Sequence, residues 1–360
     1  MRLHSNKALA LALALLAVAC DNKPSEPAPR PRSSRSTVAA VSAPRAPALK
    51  PAEHFLHPRP RPAQLGPAKL SPQVCQVEGV SFTHKVDTAV LAAIEVVGDK
   101  LYVADGKGAV HALVIKAGEE CKLTLDRSFG KGGKLEPEQP VLALSRGAAN
   151  PLIASTGVHG SYAIRDGHSA YTCAAPGLVR MHPSEPWGLA TLQGATVQKV
   201  RFGDGACTFE PWAMKASGGK RTGPFSVVGA IGFLEDMVLL GGRLSDKEEK
   251  GQVVVGFDDR GTEKLRIDAG RGNRFEWVHD LESCAGGICV LDGNARMLSL
   301  WSRDGERIGQ VRLNDLLDLR LPWVPSMATA GQGQMYMIAG QSRGRAPGGA
   351  EGFIYRVSGL

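Results

Sequence analysis

Past its first twenty residues the chain lacks any apolar run of about 18 residues, the length a helix needs to cross a bilayer. That excludes a helical membrane span from residues 21–360. The motif Cys-x-x-Cys-His is missing, which argues against covalently attached haem. No His or Cys stands near Cys284 and Cys289 at ligand spacing, so that pair does not read as a metal site, and no cofactor is expected. Net charge is lacking where a nucleic-acid surface would need it. The formal charge is +8, but residues 1–19 hold two basic and no acidic residues, and residues 20–73 hold nine basic and three acidic. Residues 74–360 are left with 32 of each sign, so the basic excess belongs to the leader, and no nucleic-acid partner is expected.

What the chain has is a repeated hairpin. Its clearest copy runs Met297-Leu-Ser-Leu-Trp301-Ser-Arg-Asp-Gly305-Glu-Arg-Ile-Gly-Gln-Val-Arg-Leu313, two apolar runs around a polar turn. The turn glycines fall at 118, 167, 205, 261, 305 and 359, at intervals of 38 to 56 residues. Glycine supplies the positive φ that a tight hairpin requires. A second apolar run precedes each hairpin: Lys100–Asp105, 151–155, 187–191, 237–241, 288–292 and 335–339. A repeat of about 40 to 55 residues with four short strands predicts propeller blades. The fold expected is all-β: a six-bladed β-propeller over residues 74–360. The chain stops one residue after Gly359, so the last blade lacks its outer strand. The segment 75–83 alternates apolar and polar and is expected to supply it, closing the ring on 353–357.

Lys100-Leu-Tyr-Val-Ala-Asp105 and the run from Ile288 through Asp292 to Gly305 resemble NHL-type (YVTN/NHL-like) propeller repeats. The other blades keep the strand spacing without the Asp after the second strand. The resemblance implies a fold and no reaction.

Residues 1–19 read as a secretory signal: Arg2 and Lys7, then an apolar run too short to span a bilayer. They lead into Ala17-Val-Ala-Cys20, which resembles a lipobox with Cys20 as the acylated residue, although Ala17 stands where Leu is preferred. The same residues also fit an Ala-x-Ala cleavage site. Residues 20–73 hold 12 of the 23 prolines with Ala, Ser and Arg between them, the composition of a disordered tether. Without Cys20, six cysteines remain, an even number suited to an oxidising compartment. Cys284 and Cys289 flank a short turn and predict a disulfide. Blade adjacency pairs Cys75 with Cys121 and Cys173 with Cys207.

The long insertions map to one face: 129–139, 213–224, 242–251, 269–274 and 340–350. They hold 12 basic and five acidic residues, among them Lys215, Lys220, Arg221, Arg271, Arg274, Arg343 and Arg345. This marks a candidate binding face for an anionic partner, against the plainer reading that loop charges are merely solvated. The sharpest cluster is Phe275-Glu-Trp277-Val-His279-Asp280, entering the innermost strand of blade five, with Trp323 entering blade six. A His–Asp pair at a channel mouth suits a general base. Packing of Trp277 between blades, with His279 bonded to a loop carbonyl, is the structural alternative. The acids placed on innermost strands are Glu95, Asp280 and Glu282.

The function expected is an exported, lipid-anchored, non-catalytic scaffold of the cell envelope. Its basic face would meet a protein or an anionic polymer. The alternative is a periplasmic propeller enzyme, a lactonase-like hydrolase, a lyase or a quinoprotein, which would need acids or histidines converging in the channel.

Overall fold

The computed structural model describes residues 70–360 apart from 85–90, 149–151, 157–159, 166, 174–176, 193–195, 204–205, 216–224, 245–250, 268–274, 285, 321, 332 and 343–349. The leader, Cys20 and the tether up to residue 69 lie outside the described residues. The described residues form one compact unit.

Six sheets, one per blade and antiparallel apart from one added strand in blade one, make a six-bladed β-propeller. From the centre outward, blade one is Leu91–Val97, Lys100–Asp105, Val110–Lys116 and Lys122–Leu125. The inner strands of blades two to six are Ala143–Arg146, Val179–Met181, Phe225–Leu234, Val278–Cys284 and Trp323–Gly331. Each inner strand packs on the next, and Trp323–Gly331 packs back on Leu91–Val97 to close the ring.

Second strands such as Gly287–Asp292 lie between two blades and are buried along their whole length. Burial on both faces explains why they read as continuous apolar runs rather than alternations. Leu239, Val254, Val278, Leu281 and Ile288 form one such interface, between blades four and five. The blades approach closely there: a Cβ on Gly232 would stand 2.7 Å from the Leu281 carbonyl oxygen. Of the predicted turn glycines, 118, 167, 261, 305 and 359 have positive φ, and 205 is not described.

The closing strand lies earlier than the alternation of 75–83 predicts. Ser71–Val74 pairs antiparallel with the last strand, Ser71 opposite Ser358 and Val74 opposite Tyr355. The chain then crosses to blade one, where Gln76–Glu78 runs parallel to the outer strand Lys122–Leu125. Thr83–His84 returns to blade six opposite Glu351 and Ala350. The crossing has two causes. Cys75 is disulfide-bonded to Cys121 of blade one, and Gly79 takes φ +89° to turn the chain back. The alternation itself is real: Val77, Val80 and Phe82 pack into the core shared by blades six and one.

All three expected disulfides form, Cys75–Cys121, Cys173–Cys207 and Cys284–Cys289. Cys173 ends the outer strand His168–Cys173. This lets it meet Cys207 at the start of blade three's outer strand.

Candidate functional site

The channel has two mouths. The loop-rich mouth receives the starts of the inner strands. In blades one, four, five and six a bulge kinks the inner strand near its start. In blade five the bulge falls between Val278 and Asp280, so His279 lies outside the regular pairing. Its ring meets Trp323 edge-on, with centroids 5.2 Å apart. Its Nδ1 is buried and packed so closely on Gly293 that a Cβ there would lie 2.0 Å away. Burial lowers the His279 pKa, against a hydrogen bond with the Val324 backbone and the charges of Asp292 and Asp280.

Asp280 is engaged elsewhere. Its Oδ2 accepts from Ser326 Oγ and Met327 N, each at 2.9 Å, tying blade five to blade six. Trp277 is half-buried, its indole facing Gly229 of blade four. The four clustered residues are brought together, but as packing and inter-blade bonds rather than as a base with its orienting acid. Trp323 is the exception in exposure, at 46%.

Lys215 is exposed, yet it is not at this mouth. Its N–H donates to the Gly261 carbonyl at 2.6 Å, and it bridges Thr262 at the outer rim of blade four. Just after blade three's outer strand, Trp212 and Lys215 lie against the turn of the neighbouring blade at Asp259, Gly261 and Thr262, which removes Lys215 from the predicted face. Lys220, Arg221, Arg271, Arg274, Arg343 and Arg345 lie outside the described residues.

Two aspartates carry the NHL-like pattern. Asp292 accepts from the backbone N–H groups of Glu276, Trp277 and Ala295 at 2.6, 3.1 and 3.0 Å. Asp105 accepts from Lys107 N and Ala109 N and pairs with His111 at 2.9 Å. A carboxylate with several acceptor sites after the second strand ties down the loop to the third.

The channel centre holds a buried charge cluster. Glu95 and Glu282 each stand five residues before the second strand of their blade, and so share a layer. Arg180, from the inner strand of blade three, reaches across to both. Its Nη1 is 3.3 Å from Glu95 Oε2, and its Nη2 pairs with Glu282 Oε1. Nη1 also donates to the Leu144 carbonyl at 3.1 Å. Thr329 of blade six donates to Glu282 Oε2 at 3.2 Å. Burial raises the Glu95 pKa, opposed by the charges of Arg180 and Arg146. The inner-strand carboxylates were legible in sequence, but their counter-ion was missed. Its signal was a lone Arg180 inside the apolar run Leu178-Val179-Arg180-Met181.

Below this cluster, at the mouth framed by short turns, opens a cavity of about 640 Å3 lined from all six blades. This cavity thus lies on the side opposite the one that the long loops indicate. Beside it His182 is buried against Trp187 and Phe233. Its Nδ1 accepts from Glu185 N at 3.1 Å, and burial lowers its pKa, so this histidine holds a turn. Among the described residues no group of three or more His, Cys, Asp or Glu is placed to hold a metal ion.

No protein-family model and no curated protein matches the chain. Solved structures that resemble it are β-propeller proteins in part by their own descriptions. BamB from Moraxella catarrhalis is 12% identical with a TM-score of 0.40, covering 74% of this chain and 82% of that one. The β-propeller domain of Swd1 from Myceliophteria thermophila is 12% identical with a TM-score of 0.46, covering 80% and 99%. The WD40 β-propeller domain of Doa1 is 13% identical with a TM-score of 0.43, covering 79% and 97%. Likenesses this distant assign no function, and the six hydrogen-bonded sheets carry the fold by themselves.

Proposed function

We propose that this protein is an exported, lipid-anchored β-propeller of NHL type in the cell envelope, a non-catalytic scaffold whose loop-rich basic face binds a protein or an anionic polymer. One observation carries the non-catalytic part. The inner-strand carboxylates are already engaged: Glu95 and Glu282 with Arg180, and Asp280 with Ser326 and Met327. A hydrolase or lyase needs a base that can reach a substrate proton, and these carboxylates are turned instead toward partners on other blades. The short apolar run ending at Cys20 supports lipid anchoring, and the basic excess of the loops supports an anionic partner.

Two experiments test the reading. Cys20→Ser should move the protein from the membrane fraction to the soluble one; a variant that still sediments with membranes rules the anchor out. The chain carrying Lys220→Glu, Arg221→Glu, Arg343→Glu and Arg345→Glu should lose the envelope component that the wild type retains on an affinity matrix. Equal retention by both would remove the loop face from the proposal.

A further inference from the structure

We propose that His182 is a proton-operated latch at the short-turn mouth: when its ring takes up a proton, the turn at 183–186 is released and Trp187 is uncovered. The turn reads Pro183-Ser184-Glu185-Pro186 and joins the inner and second strands of blade three. One backbone hydrogen bond closes it, from His182 N to the Trp187 carbonyl at 2.8 Å. The rest of the closure is the ring. His182 Nδ1 accepts from Glu185 N at 3.1 Å and from Ser184 N at 3.3 Å, and lies 3.3 Å from Ser184 Oγ. A ring nitrogen that accepts from N–H groups carries no proton, so the proton of the neutral ring sits on Nε2.

Protonation inverts that contact. Both nitrogens of an imidazolium are donors, so Nδ1–H would point at two backbone N–H groups and the turn could not keep its shape. The surroundings offer the charged ring little in exchange. It is buried against Trp187 and Phe233, with ring centroids 5.0 Å away in each case. Lys199 Nζ already stands over the Trp187 ring, 4.6 Å from its centroid, so a second cation there meets a like charge. Arg180, on the same strand, is turned to Glu95 and Glu282. The facing acids are Glu185 on the turn itself and Glu235 and Asp236 of blade four. All three are exposed, and Arg303 holds the latter two. Burial outweighs Glu185 and the hydrogen bond with the Glu235 backbone, and keeps the His182 pKa below the usual 6.5. The closed turn therefore belongs to the neutral ring; its stability is complete above about pH 6.5 and is lost as pH falls below it. Pro183 lines the cavity of about 640 Å3, so release of the turn widens its mouth. Nothing in this depends on what the loop-rich face binds.

Hydrogen exchange of the full chain at pH 7 and pH 5, read by mass spectrometry and corrected for intrinsic rates, tests the latch. The amides of Ser184 and Glu185 should lose at least tenfold in protection at pH 5. The strand Gly287–Asp292 of blade five should keep its protection, which separates opening of the turn from general unfolding. Tryptophan emission should shift to the red over the same interval as Trp187 meets water. His182→Asn keeps an acceptor oxygen in place of Nδ1 and takes up no proton, so both changes should vanish. The proposal is overturned if the two amides are equally protected at both pH values, or if His182→Asn opens as the wild type does. Should that variant not fold, the wild-type imidazole Cε1–H resonance decides. A ring that titrates while both amides stay protected overturns the latch, and one that titrates as they are released supports it.

Discussion

Arg180 Nη1 stands 3.3 Å from Glu95 Oε2, joining blade three to blade one across the channel. Glu282 of blade five takes the other arm of the same guanidinium. Desolvating three charges is costly, so the cluster adds little net stability over an apolar one of the same shape. Breaking it is another matter, because two buried carboxylates lose their counter-ion. Arg180→Met should lower unfolding free energy by about 3–5 kcal/mol in urea titrations. The triple variant Arg180→Met, Glu95→Gln, Glu282→Gln should recover most of that loss. A single-substitution loss below about 1 kcal/mol would mean that the cluster is solvated and does not tie the blades.

The same cluster sets a pH dependence. Burial is the largest influence on Glu95 and raises its pKa above the usual 4.5, despite Arg180 and Arg146. A carboxyl raised in the folded state makes the folded chain bind its proton more readily than the unfolded one. Its stabilising contribution is complete below about 4.5 and is lost as pH rises through the folded value. The stability of wild type relative to Glu95→Gln should therefore be greatest near pH 4.5 and decline toward pH 7. A difference that grows with pH would show that the arginines outweigh burial.

Asp292 gathers three backbone donors from two segments, Glu276 and Trp277 on one side and Ala295 on the other. Asp292→Ala strands those donors at the loop-rich mouth and should cost about 3 kcal/mol. Asp292→Asn keeps one acceptor oxygen and should cost roughly half as much. Thermal melting of the two variants checks the order. Equal losses would place the effect in the charge of Asp292 rather than in its acceptor geometry.

The blades were legible because their signals are local. A glycine with positive φ, such as Gly305 at +80°, follows a polar turn, and a fully buried second strand such as Gly287–Asp292 reads as an unbroken apolar run. The cluster at the channel centre was half legible. Glu95 and Glu282 stand out on inner strands, but Arg180 lies on a strand of only three residues, Val179–Met181, whose periodicity is too short to read. Its partners lie 85 residues before and 102 after it, a distance that no pattern in one repeat encodes. The cavity was illegible for a related reason. Long loops advertise themselves in sequence, whereas a cavity between short turns depends on how six strand ends diverge. Lys215 failed in the opposite way: its loop was recognised, but its place at the rim of blade four follows from its bonds to Gly261 and Thr262.

Ring closure depends on one short segment that touches both ends of the circle. Ser71–Val74 completes blade six, Cys75 is bonded to Cys121 of blade one, and Gln76–Glu78 extends blade one. Arg356 reinforces the seam, donating from Nη1 to the Gly118 carbonyl at 3.1 Å and from Nη2 to Gln73 at 2.6 Å. Deleting residues 21–69 removes proline-rich chain ahead of the first strand and should leave the melting temperature nearly unchanged. Deleting residues 21–78 opens the last strand's edge and removes the disulfide, so melting should fall sharply, with aggregation through the exposed edge. The disulfide's share can be separated. Its sequence separation is 46, against 5 for Cys284–Cys289. Loop entropy then assigns about 4 kcal/mol to the first bond and about 2 kcal/mol to the second. Cys75→Ser with Cys121→Ser should accordingly destabilise more than Cys284→Ser with Cys289→Ser, and less than the longer truncation, which also loses the strand. If both truncations melt alike, the seam is held by something other than this segment, and the closure has to be redrawn.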